Sequence, residues 1–146
     1  MTDLERLHKD LVWFETKLWN TLDTRLRADY GLPLTWFLVM RFLARHPVCR
    51  IHDIAQEFAI TAGGTSKVVD RIEAAGHCRR HPHPDDRRSM LIELTPGGRD
   101  LVSGAVKVFE VELRRQIGSA ASESVLAQFA ETLSTLRAAL SSNGVQ

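Results

Sequence analysis

The residues of this chain whose types and spacing suit them to chemistry sit together between Ile60 and Leu101, in ITAGGTSKVVDRIEAAGHCRRHPHPDDRRSMLIELTPGGRDL. The chemistry they suit is recognition of a polyanion. At about 100° per residue, Thr65, Val68, Val69 and Ile72 fall on one side of a helix, while Gly63, Ser66, Lys67 and Asp70 point the other way. Ser66 and Lys67, with Gly63 near the helix start, are the candidates for contact with base edges and phosphates, and Arg71 suits a phosphate. Thr61 is the expected N-cap and Gly76 the expected stop. The helix between them would be about 14 residues and about 21 Å long, a rod that fits a major groove about 12 Å wide. Gly63 and Gly64 are unusual there, since each costs about 1 kcal/mol against Ala in a helix interior. Two readings stand: the missing side chains let the helix N-terminus approach a DNA backbone closely, or the first turn merely tolerates them.

A second cluster follows. Arg79, Arg80, Arg87 and Arg88 against Asp85 and Asp86 give residues 77–91 a local charge of +2, before His77, His81 and His83 are considered. The whole chain is nearly balanced, with 19 Lys and Arg against 18 Asp and Glu, so an argument for nucleic acid rests on placement and not on bulk charge. Bond-making chemistry has no residues to stand on. There is no nucleophile elbow, no HExxH and no Gly-rich cofactor loop, and GGTSK lacks the order of a phosphate-binding loop. No enzyme activity and no cofactor are therefore expected. His81 and His83, two apart on a strand with Asp85 nearby, invite a metal, but imidazoles close to phosphate are the simpler account and no metal is expected. Cys49 and Cys78 lack a CxxC spacing and read as small buried apolar residues.

The elements that position these residues can be read in order. Leu4, Leu7, Leu11, Phe14, Leu18, Leu22 and Leu26 recur every three or four residues from Asp3 to Tyr30, a long amphipathic helix ended by Gly31 and Pro33. Its stripe needs more partner surface than a small domain supplies, and a second chain is one source. Thr35 is the expected cap of a helix through Trp36, Phe37, Leu38, Met40 and Leu43, halted at His46-Pro47. A short helix from Arg50 to Phe58, joined through Ala59 and Ile60 to the glycine-led helix, makes a helix-turn-helix candidate. Cys78 to His83 and the run Met90 to Leu94 form a two-stranded ribbon across HPDD, which must lean on the helices because two strands alone are marginal. Thr95-Pro96 starts a further helix that stops near Gly118. A last helix from Ser122 uses Val125, Leu126, Phe129, Leu133, Leu136 and Leu140, and the tail SSNGVQ should fray. The fold class is mainly α: a winged helix-turn-helix with a two-stranded β-wing over residues 34–95, flanked by long helices in 1–33 and 96–146. No stretch approaches a membrane span and no leader precedes the first helix, so a cytoplasmic protein with no membrane partner is expected.

With TSKVVDRIEAAG followed by RRHPHPDDRRSMLIELTPGGRDL, the chain resembles the MarR-type transcriptional regulators, most specifically through Asp86-Arg87-Arg88, Leu94-Thr95 and Gly98. The resemblance is specific over residues 51–102 and architectural elsewhere. It implies a homodimer on double-stranded DNA, with 34–95 as the DNA-binding domain, the helices of 1–33 and 96–146 as the dimerisation region, and two recognition helices in successive major grooves about 34 Å apart over a pseudo-palindrome. It also favours Arg88, with Arg87 beside it, as the wing pair that contacts DNA, and Asp86 as the residue that orients an arginine. Proteins of this type commonly bind a small, often aromatic, effector between the dimerisation helices and the winged domain. His8, Trp13, Trp19, Trp36 and Phe37 are the candidates to line such a space, against ordinary core packing for each. The function expected is a ligand-released repressor. Its rivals are a winged-helix module that binds protein and a small-molecule carrier with an aromatic pocket, neither of which binds DNA.

Overall fold

Between Asp3 and Gly31 the sequence has neither Pro nor Gly, and it folds as one 27-residue helix, α1 (Leu4–Tyr30). The computed structural model describes residues 1–143. The Asp3 carboxylate caps α1 by accepting from the Arg6 amide, and Gly31, left-handed at φ 61°, closes it. Helix α2 (Leu34–Arg45) starts two residues earlier than expected. Thr35 is not its cap. Pro33 fixes the entry, and the orphan amide of Leu34 is satisfied from a distance by the Asp23 carboxylate at 2.8 Å. His46, extended before Pro47, ends the helix as a pre-proline residue should.

Helix α3 (Ile51–Phe58) turns through Ala59, a non-glycine residue with φ of 53°, into α4 (Ala62–Ala74), so the helix-turn-helix pair stands as expected. Strands β1 (Cys78–Pro82) and β2 (Met90–Leu94) pair antiparallel, with Arg79 opposite Glu93 and Arg80 opposite Ile92. The ribbon has a third participant that the sequence reading missed. Cys49 forms an isolated antiparallel bridge with Ile92, exchanging both backbone hydrogen bonds at 3.3 and 2.8 Å. This is how the ribbon leans on the rest. It also explains the loose alternation of β2, where Leu91 and Ile92 are both buried although they face opposite sides.

Thr95 ties three elements at one point. Its Oγ1 donates to the Gly76 carbonyl at 2.8 Å and accepts from the Gly98 amide at 3.0 Å, and its own amide donates to the His77 carbonyl. It thereby caps α5 (Pro96–Leu113), which runs into a π-helical turn at Arg114–Gly118. Helix α6 (Glu123–Asn143) follows. It is longer than expected: Ser141 and Ser142 are helical, their hydroxyls donating to the Arg137 and Ala138 carbonyls, so of the tail expected to fray only residues 144–146 lie outside the described residues.

The chain divides into two compact units, Met1–Phe109 and the part from Glu110 onward. The first holds the core, with Leu26, Phe37, Met40, Ile54, Val69, Ile72 and Ile92 all fully enclosed. Burying each such side chain contributes about 1.5–3 kcal/mol. The second unit contains α6, none of whose residues is buried. Cys49 and Cys78 are free and buried, as read from the sequence.

Candidate nucleic-acid interface

Helix α4 turns its apolar side inward: Thr65, Val69 and Ile72 are buried, and the Thr65 hydroxyl is satisfied by the Thr61 carbonyl at 2.9 Å. Thr61 is the N-cap, its Oγ1 accepting from the Gly64 amide at 3.0 Å. The remaining first-turn amides have no intrahelical partner, which suits the helix end to an anion. Gly63, Lys67 and Arg71, spaced four apart, form the exposed ridge of α4. Ser66 sits beside that ridge, half-buried on the flank that meets the wing. A Cβ at Gly63 would meet nothing within 4 Å, and its φ is not positive, so neither packing nor backbone conformation demands glycine there. Gly64 differs, because a Cβ would press on the capping Thr61 Oγ1 at 3.1 Å.

The turn between the strands is ordered by its own backbone. The His83 amide donates to the Ser89 carbonyl at 2.9 Å, and the Ser89 amide to the Asp86 carbonyl at 3.0 Å. Asp86 acts on this turn differently from the expected pairing with a guanidinium. Its Oδ1 accepts from the backbone amide of Arg88 at 3.0 Å and its Oδ2 from the Ser89 hydroxyl at 3.5 Å, an Asx-turn that sets the direction of the chain at Arg88. His83 plays a similar part, its Nδ1 accepting from the Asp85 amide. His81 Nδ1 lies 3.6 Å from Glu93.

The four wing arginines divide into two pairs with different surroundings. Arg79 is exposed but neutralised across the ribbon by Glu93, Nε to Oε1 at 2.6 Å, and that hydrogen bond lowers the Glu93 pKa below its ordinary value. Arg80 is largely enclosed, with two carboxylates of α4 against its guanidinium. Arg87 and Arg88 are exposed, and among the described residues no ion pair or side-chain hydrogen bond engages them, nor Lys67 or Arg71 on α4. The basic charge counted along residues 77–91 is therefore concentrated further than the sequence implied. What is left for a partner is two cations on the helix and two on the turn.

Against this geometry the comparisons with known proteins are specific. The MarR family model matches residues 30–89, from the end of α1 to the end of the wing turn. Over the helix-turn-helix and the wing, then, the chain is similar to the MarR family. It is 28% identical over 115 residues to YfiV, an uncharacterized HTH-type transcriptional regulator of Bacillus subtilis strain 168, covering 79% of this chain and 70% of that protein. Among solved structures it is similar to Sco3205, a MarR family transcriptional regulator of Streptomyces coelicolor in complex with DNA, with a TM-score of 0.88 at 24% identity over 96% of this chain and 93% of that one. It is also similar to a point mutant of MarR from E. coli complexed with operator DNA, with a TM-score of 0.83 at 17% identity over 90% and 93% of the two chains.

The five candidates for an effector space do not come together in one place. His8 and Trp13 line a shallow groove of about 480 Å³ on α1 with Lys9, Val12, Thr16 and Lys17, and Lys17 Nζ lies 5.8 Å from the Trp13 ring centroid. Trp19, at 37% exposure, lies beyond that groove on the same helix. Trp36 meets the edge of His77 at 6.4 Å. Phe37 is a core residue, fully buried with its ring 4.7 Å from that of Phe109, and has no face to offer a ligand. On α2 the ring of Phe37 is taken up by the core, while the neighbouring Trp36 stays half-buried.

Two positions that the sequence reading gave no such task prove structural. Asp23 caps α2, and Arg80 joins the wing to α4 through Asp70, Glu73 and the Ser66 carbonyl. The second had a legible signal, since positions 66, 70 and 73 follow the i, i+4, i+7 spacing of one helix face. The first had none, because Asp23 and Leu34 are 11 residues apart across a turn.

Proposed function

We propose that this chain is a homodimeric regulator that binds double-stranded DNA sequence-specifically at a pseudo-palindromic operator, acts as a repressor, and releases DNA when a small ligand binds. The observation that carries the reading is the set of four unpartnered cations, Lys67 and Arg71 on α4 and Arg87 and Arg88 on the wing turn. Lys67, with Ser66, Gly63 and the amides at the Thr61 and Gly64 end of α4, reads base edges and the adjacent phosphates in the major groove. Arg71 holds a phosphate. Arg88, aimed by the Asp86 turn, enters the minor groove with Arg87 beside it, where a planar guanidinium suits a narrow, negative channel. Arg79, already paired with Glu93, contributes at the periphery. Two of the similar structures were solved with DNA, which supports the reading.

Pairing of two chains rests on uncovered apolar surface. Leu4, Leu7 and Phe14 on α1 and Val125, Phe129, Leu133, Leu136 and Leu140 on α6 are exposed at helical spacing. Residues 1–33 and 96–146 form the dimerisation region and 34–95 the DNA-binding domain. Among the described residues no helix is long and apolar enough to cross a membrane, in keeping with a cytoplasmic regulator. A small aromatic effector would stack at Trp13 beside His8.

The test is selection of duplexes from a random-sequence library followed by footprinting. A two-fold symmetric footprint with half-sites about 10–10.5 base pairs apart, bound by two chains, is expected. Binding with no sequence preference would overturn it, and no binding to any duplex would leave the protein-interaction and carrier readings in its place.

A further inference from the structure

Arg80 stands at the join of wing and recognition helix, and its surroundings differ from those of every other basic residue on the wing. Its Nη1 lies 2.9 Å from Glu73 Oε1 and its Nη2 lies 2.7 Å from Asp70 Oδ1, with a further donation from Nη2 to the Ser66 carbonyl at 3.3 Å. Its backbone amide donates to the other oxygen of the same Glu73 carboxylate at 2.9 Å. Glu73 therefore grips both the strand and the side chain of one residue. The Arg80 side chain is only 17% exposed, with its charge matched by two carboxylates. Such a group is poorly placed to neutralise a phosphate.

We propose that Arg80 is a positioning residue that fastens β1 to α4, so that the helix and the wing turn meet DNA as one rigid unit. The proposal rests on the DNA-binding reading above. Its physical basis is leverage. A two-stranded ribbon is marginal alone, and three residues of chain, about 10 Å at about 3.3 Å each, separate Arg80 from the start of the turn. A tilt of about 10° at Arg80 moves that point by about 2 Å, enough to break a hydrogen bond of about 2.9 Å. Arg87 and Arg88 lie farther out and move more. Guanidinium geometry is essential to the fastening, because the planar fork reaches Asp70, Glu73 and the Ser66 carbonyl together, and an ammonium at the same place cannot.

The experiment compares wild type, Arg80→Lys and Glu73→Gln on a duplex selected by the wild-type protein and on a random duplex, across a salt series, with hydrogen exchange of the DNA-free proteins alongside. Arg80→Lys keeps the charge, and we expect it to lose about tenfold in affinity for the selected duplex while the slope of log K against log salt stays unchanged. Affinity for the random duplex stays near wild type. Glu73→Gln provides a test of sign: removing an acid from a DNA-facing unit ordinarily strengthens binding, whereas loss of the fastening weakens it. Exchange in peptides covering 78–94 should rise in both variants, and exchange in 34–45 should not. Wild-type affinity in Arg80→Lys, a slope lower by about 1, or tighter binding by Glu73→Gln would overturn the proposal. If wild type itself prefers no duplex, the DNA reading fails, and the exchange rates alone decide whether Arg80 holds the wing.

Discussion

Gly63 and Gly98 lie in the first turns of α4 and α5 and answer to different constraints. At Gly98 a Cβ would overlap the His77 carbonyl, a backbone atom that Thr95 also uses, so nothing nearby can yield cheaply. Gly98→Ala should destabilise the fold by about 2 kcal/mol or more, read as a lower denaturant midpoint. At Gly63 there is open space, and Ala should raise the melting temperature through helix propensity, by up to about 1 kcal/mol. If the ridge of α4 approaches DNA closely, the same Gly63→Ala should weaken duplex binding, and stability would rise while affinity falls. A gain in stability with unchanged affinity would mean that Gly63 is simply tolerated. The cysteines give a third residue-scale outcome. Burial, reinforced by Asp53 at Cys49 and by Glu73 at Cys78, pushes both thiols up to about 11. The native protein should therefore resist iodoacetamide at pH 8 and react once unfolded. Because the folded-state values are raised, their contribution to stability is fully present below the ordinary thiol range and is lost as pH rises from about 9 towards 11.

At the scale of elements, helices and, Thr35 apart, their caps were legible because their signals are local. Thr61 before α4, Thr95-Pro96 before α5 and Gly31 after α1 each place a particular side chain or conformation at a helix end. Thr61→Ala should cost about 1 kcal/mol, measured by urea denaturation. Long-range partners were not legible. Asp23 capping α2 and Cys49 bridging Ile92 join positions 11 and 43 residues apart, and no periodicity reports such a contact. The wing shows the same division. Its strands and turn follow from composition, but which arginines are free depended on Glu93, Asp70 and Glu73, which a charge count treats as scattered acids. Phe37 was misjudged for a related reason: aromatic character says nothing of whether a ring faces a cleft or the core.

At the scale of the whole molecule, α1 and α6 each carry exposed apolar side chains. Helix α6 has no buried residue, yet it presents Val125, Phe129, Leu133, Leu136 and Leu140 at helical spacing. Leu133→Glu should cost little within one chain, where the side chain is already 38% exposed, and should split the proposed dimer, seen as halved mass in light scattering. Because two-fold pairing also sets the half-site spacing, the monomeric variant should lose affinity for the paired site far more than for a single half-site. The most direct measurement of the central claim is the affinity of wild type and Arg88→Ala for a selected duplex across a salt series. The account predicts a steep linear fall of log K with log salt for wild type, and for Arg88→Ala weaker binding with the slope reduced by about 1 and the oligomeric mass unchanged. An Arg88→Ala protein that binds with wild-type affinity and wild-type slope would contradict it.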